Sequence, residues 1–365
     1  MRFHASDTSS ATVQMQPSTN RLVEGILNGN RTALSRSITL VESSLKSDEQ
    51  QAELLLDAVL AHRREASAKE TEFRCLPTFR VGIAGPPVRY VCLVLLVDPS
   101  SSRSGGSLLG DKTRMTHLSN DPNAFVRPSP SRGTLGGVAQ HTNDIVLLCE
   151  AAGYDIILVE SVGLGQSEIV IDDTVDMVML LVPPAGGDEL QGSKKGIMEI
   201  ADIIVVNKAD GELESAAKHA AVDYLHSLQL MRRKDPDWEP KVKLCSAIEK
   251  KGIDKIWDVI EQYRTSMNEL NKVRCYFHSS RLTRLALMLW RTFIQIAKKR
   301  NTQSSKWMWN QLSEQLMKSV AKNSSVKEKA EKMNEDLVRG FISPRSAAAH
   351  ILDLFLTSQI HQDDK

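Results

Sequence analysis

Six short apolar runs between residues 79 and 245 set what this chain can fold into. They are Phe79–Ala84, Val91–Val97, Tyr154–Val159, Asp176–Val182, Asp202–Val206 and Val242–Cys245. Each is nearly continuous in apolar residues. A sheet with one wet face alternates apolar and polar residues, so continuous runs mark parallel strands covered on both faces. The later gaps carry helical spacing over Gly192–Glu199, Ala216–Arg232 and Ile253–Met267. Strands interleaved with helices predict a doubly wound α/β domain with a mainly parallel sheet.

That domain is expected over residues 78–267, flanked by helices. Asn20–Ala68 places Leu22, Ile26, Leu27, Leu34 and Ile38, then Leu54, Leu55, Leu56, Val59 and Leu60, at helical spacing. Residues 20–72 therefore read as an N-terminal helical extension, after a Ser/Thr-rich tail (1–19) with no clear transit peptide. Residues 301–356 read as a C-terminal helical arm, with helices at Lys306–Ala321, Val326–Gly340 and Ala347–Leu356. Trp307 and Trp309 suit either a core or an interface, where aromatic anchors are enriched. Between domain and arm, 268–300 reads as an inserted linker, with an amphipathic helix over Arg281–Ala297.

Composition narrows the partners. A net charge of +1 supplies no bulk field for nucleic acid or an anionic membrane. No run of 18 apolar residues exists, so no membrane span is expected. The five cysteines (75, 92, 149, 245, 275) form no C-x-x-C pair and read as free thiols of a reducing compartment rather than a zinc site.

The first strand ends like the entrance to a phosphate loop, and then the loop is missing. Phe79–Gly85 reads Phe-Arg-Val-Gly-Ile-Ala-Gly, followed by Pro86 and Pro87. In the pattern G-x-x-x-x-G-K-[ST], counted from Gly85, the second glycine falls at position 90 and the lysine at 91. Tyr90 and Val91 stand there instead. The gap Gly85–Tyr90 is also too short for a parallel crossover, which needs a dozen or more residues and usually holds a helix. The first two strands are therefore not joined in the usual right-handed way.

Other residues still carry nucleotide chemistry. Asn207-Lys208-Ala209-Asp210 directly follows an apolar strand. In an N-K-x-D at a strand end, the aspartate accepts from guanine N1–H and the 2-amino group, and the asparagine reaches the other edge. Adenine has no 2-amino group, so the pair discriminates. The tetrapeptide alone is a weak signal, and its position after a buried strand strengthens it. Ser246-Ala247 follows the next strand and fits a second base-contacting loop, though the dipeptide alone says little. Asp98 ends the second strand, Asp111 lies in Gly105–Arg114, and Glu160 ends the third. Each acid alone reads as a helix cap or a solvated group. As a set beside the guanine motif they suit magnesium, a hard cation that takes oxygen ligands, at the strand ends where open α/β sheets bind ligands. Pro183–Gly192 is too glycine-rich for helix and leads into Lys194 and Lys195. Two readings stand for that lysine: a mobile loop that brings charge to a phosphate, or a solvated helix start.

These stretches resemble the methylmalonyl-CoA-mutase-associated GTPases of the ArgK/MeaB type. The resemblance is carried by Arg80–Pro87, Val97–Ser100, Gly105–Met115, Arg127–Gly137, Gly153–Glu168, Pro183–Gly192, Asn207–Asp210 and Lys306–Leu312, with Arg21–Ser44 fitting the N-terminal helices. It implies a P-loop NTPase-type fold and a magnesium-dependent GTPase that binds GTP and GDP. It also implies a homodimeric chaperone that gates adenosylcobalamin loading of methylmalonyl-CoA mutase and protects it, dimerising through the C-terminal arm. By the same resemblance, Asp98, Asp111 and Glu160 match the magnesium and switch positions, and Asp111, Glu160 and Lys194 are the candidate catalytic residues. Gly82, Gly85 and Pro86 match the remnant of the phosphate loop. Asn207, Lys208, Asp210, Ser246 and Ala247 match the base reader, and Gln191 with Lys194 a third switch loop coupled to the mutase. In eukaryotes the family is mitochondrial.

Two departures stand out. The family carries G-A-G-K-S-T and a helix after Gly-Pro-Pro; here about 17 residues are missing between Pro87 and Val91, judged against ordinary βαβ spacing. Cys275–Ala297 has no recognised counterpart. The sharp edges of both fit altered splicing and hence a eukaryotic source. A phosphate loop holds phosphates through backbone N–H groups and a helix N-terminus, and its lysine and Ser/Thr reach the phosphates and magnesium. Without it, the chain is expected to hydrolyse GTP poorly or not at all, and the sheet to lose a covering helix and expose apolar surface. The alternative reading is a non-catalytic dimeric scaffold. A sister metal-insertion GTPase is disfavoured, since no C-x-C-C motif or His-rich tract is present.

Overall fold

The computed structural model describes residues 14–43, 45–69, 78–84, 94–98, 116–130, 141–161, 168–184, 195–276 and 295–363. They divide into two compact units, residues 1–299 and 300–365.

The first unit is built on a seven-stranded sheet in the order β3-β2-β4-β1-β5-β6-β7, with every pairing parallel. The strands are β1 (Phe79–Ala84), β2 (Val94–Asp98), β3 (Val126–Pro130), β4 (Ile156–Glu160), β5 (Met177–Val182), β6 (Ile203–Val206) and β7 (Lys241–Leu244). Six match the apolar runs to within a few residues. The seventh, β3, is an edge strand that the sequence reading leaves out. Its run Val-Arg-Pro-Ser-Pro has one large apolar residue and two prolines, which an edge tolerates because alternate N–H groups need no ladder partner.

Helices in the first unit are α1 (Pro17–Leu27), α2 (Arg31–Val41), α3 (Lys46–Lys69), α4 (Thr116–Asn120), α5 (Thr142–Ala151), α6 (Glu168–Asp172), α7 (Lys195–Ile200), α8 (Glu214–Leu230) and α9 (Ile253–Tyr276). Then α10 (Gln295–Lys322) begins in the first unit and runs on into the second, which also holds α11 (Ser324–Val338) and α12 (Pro344–Asp363). The stretch set apart as a linker thus begins as a continuation of α9 through Tyr276 and ends inside α10; residues 277–294 lie outside the described residues. Among the described residues no helix is long and apolar enough to cross a membrane.

Side chains alternate between the two faces along β1, β4, β5 and β6. Phe79, Val81 and Ile83 of β1, with Met177, Met179, Ile203 and Val205, pack under Val259, Ile260 and Tyr263 of α9. On the other face Leu180, Val182, Ile204 and Val206 meet Ile197 and Met198 of α7 and Ala217 of α8. Also on that face, Ile157 and Val159 join Ile145, Val146 and Leu148 of α5, and behind α5 lie Ile26, Leu34, Ile38, Leu55 and Val59 of α1–α3. The N-terminal helices are therefore an outer layer of the same core. Asn30 caps α2, its side chain accepting from the N–H groups of Thr32 and Ala33. Glu42, just past α2, accepts from Arg127 and, at 2.7 Å, from Ser129 Oγ, which ties this layer to edge strand β3.

The expected exposure of apolar strand surface does not occur at β1: all six of its residues are buried. Gly82 allows this, because a Cβ there would come within 2.8 Å of both Ile171 and Val175, which close over it. β4 lies between β1 and β2 in one parallel sheet. The intervening residues 85–93 lie outside the described residues.

Candidate functional site

Because all seven strands run parallel, their C-terminal ends share one edge, and the loops leaving that edge define the site. Register aligns Ile83 of β1 and Leu96 of β2 with Glu160 of β4. Asp98, two residues beyond Leu96, therefore ends β2 next to the end of β4. Glu160 is half-buried, and Ser161 N–H after it donates to Ile83 O at 2.9 Å. Gly85 and Pro86 would follow β1 here, but with Asp111, Gln191 and Lys194 they lie outside the described residues. Gly82 is not at the edge; it sits inside β1 as a packing glycine.

The base-reading segment is fully described. Register carries Val182, Val206 and Leu244 to the same level. Asn207 N–H then donates to Val182 O and Cys245 N–H to Val206 O, both at 2.9 Å. Asn207 is 5% exposed, and its Oδ1 has no hydrogen-bond partner. Lys208 is exposed with φ of +59°, a left-handed conformation that a side chain adopts only under constraint. The constraint is the next residue: Ala209 N–H donates to Cys245 O at 3.0 Å. Ser246, 1% exposed, donates through Oγ to Asp210 Oδ2 and fixes that carboxylate. Ala247 follows, half-buried.

The brace behind Ser246 escapes the sequence reading. Ser246 and Lys251 exchange backbone hydrogen bonds of 3.0 and 3.1 Å, and Glu249 N–H donates to Ser246 Oγ. Closing that loop takes Gly252 at φ +77°, where a Cβ would stand 2.3 Å from Leu244 O. A Lys-Lys-Gly after a strand is the sequence signal for this turn.

The residues present fit a guanine base: an amide side chain and, three residues on, a carboxylate clamped by Ser246 follow the C-terminal end of one strand. Asp98 and Glu160, residues of the type magnesium takes, end adjacent strands β2 and β4, but no group of three His, Cys, Asp or Glu arranged to hold a metal occurs among the described residues. Cys149 and Cys245 are free and buried; burial pushes the Cys149 thiol up to about 12, so it stays protonated.

The parallel sheet, with a guanine-type N-K-x-D at its C-terminal edge, is the architecture of a P-loop GTPase. The family model for "Methylmalonyl Co-A mutase-associated GTPase MeaB" matches residues 89–291, beginning beyond the Gly-Pro-Pro stretch and running through the segment set apart as a linker. The mouse protein named methylmalonic aciduria type A homolog, mitochondrial, is 42% identical over 354 residues, covering 92% of this chain and 79% of its own length. GTPase ArgK of Escherichia coli is 40% identical over 269 residues, covering 69% of this chain and 78% of its own. The crystal structure of a LAO/AO transport system kinase superposes with a TM-score of 0.62 at 26% identity, covering 94% of this chain and all of the other. The chain belongs to the MeaB family of GTPases.

Proposed function

We propose that this chain is a guanine-nucleotide-binding partner of methylmalonyl-CoA mutase that has lost most of its hydrolytic machinery. The observation that carries the nucleotide reading is Asn207–Asp210 at the C-terminal end of β6, with the Asp210 carboxylate held by Ser246. Asn207, Asp210 and Ala247 read the base, with Asp98, Asp111 and Glu160 as magnesium and switch residues and Gln191 and Lys194 on a loop that answers to the nucleotide. The family description and the mouse relative's name support the mutase as partner, the gating of adenosylcobalamin loading as the task, and the mitochondrion as the place. Poor hydrolysis follows from the sequence: where the phosphate-loop glycine and lysine belong stand Tyr90 and Val91, so the β- and γ-phosphates lack their ammonium partner.

A scaffold role rests on a separate observation. In α10, Met308, Trp309, Leu312 and Leu316 are exposed along one helical stripe. An apolar stripe with an exposed tryptophan suits a protein interface, and a second copy of the arm is the occupant proposed here.

The test is a titration with a fluorescent GTP analogue and magnesium, with an ATP analogue as control, beside a version that restores the phosphate loop. Guanine-selective binding weaker than micromolar is expected, abolished by Asn207→Ala, with turnover far below that of the restored version. Equal turnover would overturn the loss of hydrolysis. Absence of any preference for guanine would overturn the base reader, leaving the scaffold.

A further inference from the structure

At the sheet edge opposite the nucleotide loops, a residue from the far side of the chain enters the packing. Lys299, in the first turns of α10, places Nζ 2.9 Å from Asp172 Oδ1 and donates to Asp176 O at 2.9 Å. Nearby Ile296 packs against the core under α9. Asp172 also takes Lys234 Nζ at 2.8 Å, and Lys234 reaches Asp202 Oδ2 and Ile200 O, each at 2.9 Å. Asp202 in turn accepts from Val178 N–H, and Tyr263 OH donates to Asp176 O. Asp172, Lys234 and Lys299 are each about four-fifths covered by protein, at 21%, 19% and 23% side-chain exposure. Pairs this shielded are screened less than surface pairs, and removing one partner leaves a covered charge without its full complement.

What this cluster holds is α6. The helix is only five residues long, too short to be stable by itself. Its last two residues do different work. Ile171, with Val175 one turn on, closes over Gly82 in β1; Asp172 binds the two lysines.

We propose that Lys299 is a latch: the start of α10 straps the end of α6 to the sheet, and so holds residues 168–176 on β1 and β5 from the edge remote from the nucleotide. The chemistry is an ammonium on a carboxylate and a main-chain carbonyl. Its partners stand 127 and 123 residues apart in sequence, so the strap is tertiary. It stands apart from the nucleotide reading, since nothing in it involves a bound ligand.

Hydrogen exchange of the full, nucleotide-free chain tests it, comparing wild type with Lys299→Met and Lys299→Arg. Methionine keeps the stem and removes the charge, while arginine keeps the charge. In Lys299→Met, amides of 168–182 and 79–84 are expected to exchange about tenfold faster, the size of effect a partly buried ion pair supports. Amides of α11 are expected to be unchanged, and Lys299→Arg to stay near wild type. Unchanged exchange over 168–182 in Lys299→Met, or equal acceleration in both variants, overturns the latch. Should Lys299→Met fail to fold, Asp172→Asn takes its place: faster exchange at 295–303 is expected, and no change there overturns the proposal.

Discussion

Gly252 shows how much of the candidate site rests on a residue that touches no ligand. At φ +77° any side chain is strained, and here the added Cβ meets the carbonyl of Leu244, which is backbone and cannot move aside. That carbonyl belongs to the residue that aligns β7 with Val206, one residue before Cys245, which anchors Ala209. Gly252→Ala must shift the 246–252 loop, and Ser246 with it, away from Asp210. A loss of roughly 1–3 kcal/mol is expected, read as a lowered melting temperature. Guanine selectivity should fall with it, because the clamp on the carboxylate loosens. An unchanged melting temperature would mean that the loop has slack the geometry does not show. Ser246→Ala separates the effects: it keeps the backbone bridge and removes only the hydroxyl.

Among elements, the contrast between the central strands and β3 explains what the sequence discloses. Strands buried on both faces must be apolar throughout, so β1, β5 and β6 are visible as runs. β3 needs only one neighbour and answers to Glu42 through Arg127 and Ser129, so its polar residues are chosen by a partner some 85 positions away. The site divides in the same way. Asn207–Asp210 is local and legible. The Lys251 and Gly252 brace leaves only the short Lys-Lys-Gly signal, and the Asp172 cluster depends on contacts that no spacing in the sequence announces. The cover over β1 is not legible either: Gly82 matches a phosphate-loop position in sequence, whereas in the fold it lets Ile171 and Val175 approach. The N-terminal helices were likewise legible as helices but not as a layer of the main core. One core makes a distinct expectation. Leu55 of α3 and Ile145 of α5 are both fully buried in the same cluster. Leu55→Ala and Ile145→Ala should each cost about 2–5 kcal/mol and lower one shared unfolding transition of the first unit, followed by calorimetry. If Leu55→Ala produced a separate low-temperature transition and left the main one in place, α1–α3 would be an independent module.

At the scale of the first unit, the two edges of the sheet have opposite electrostatic designs. The site edge carries Asn207 and an Asp210 carboxylate held by a neutral hydroxyl, that of Ser246. The opposite edge is filled by Asp172, Asp202, Lys234 and Lys299, and its stability should depend on pH in a direction the shifts decide. Burial alone would raise the Asp172 carboxyl, but Lys299 and Lys234 together hold it below the usual carboxylate range. Its contribution is therefore present above about pH 4, the unfolded value, and is lost as pH falls through the lower folded value. Burial alone would lower Lys234, but Asp202 and Asp172 raise it above the ordinary lysine range. That contribution is present below about pH 10.4 and is lost as pH rises through the folded value. Burial also raises Asp202 despite Lys234; in acid that carboxyl is neutral and has little use for a cation. Lys234→Met should thus cost most near neutrality, about 3 kcal/mol for a covered charge deprived of its partner. The gap from wild type should narrow below about pH 4 and above about pH 10.5. Melting temperatures of both proteins across that range measure it directly. A gap of constant size from acid to alkali would mean that Lys234 acts through its hydrocarbon stem, and that the edge is held by packing rather than by charge.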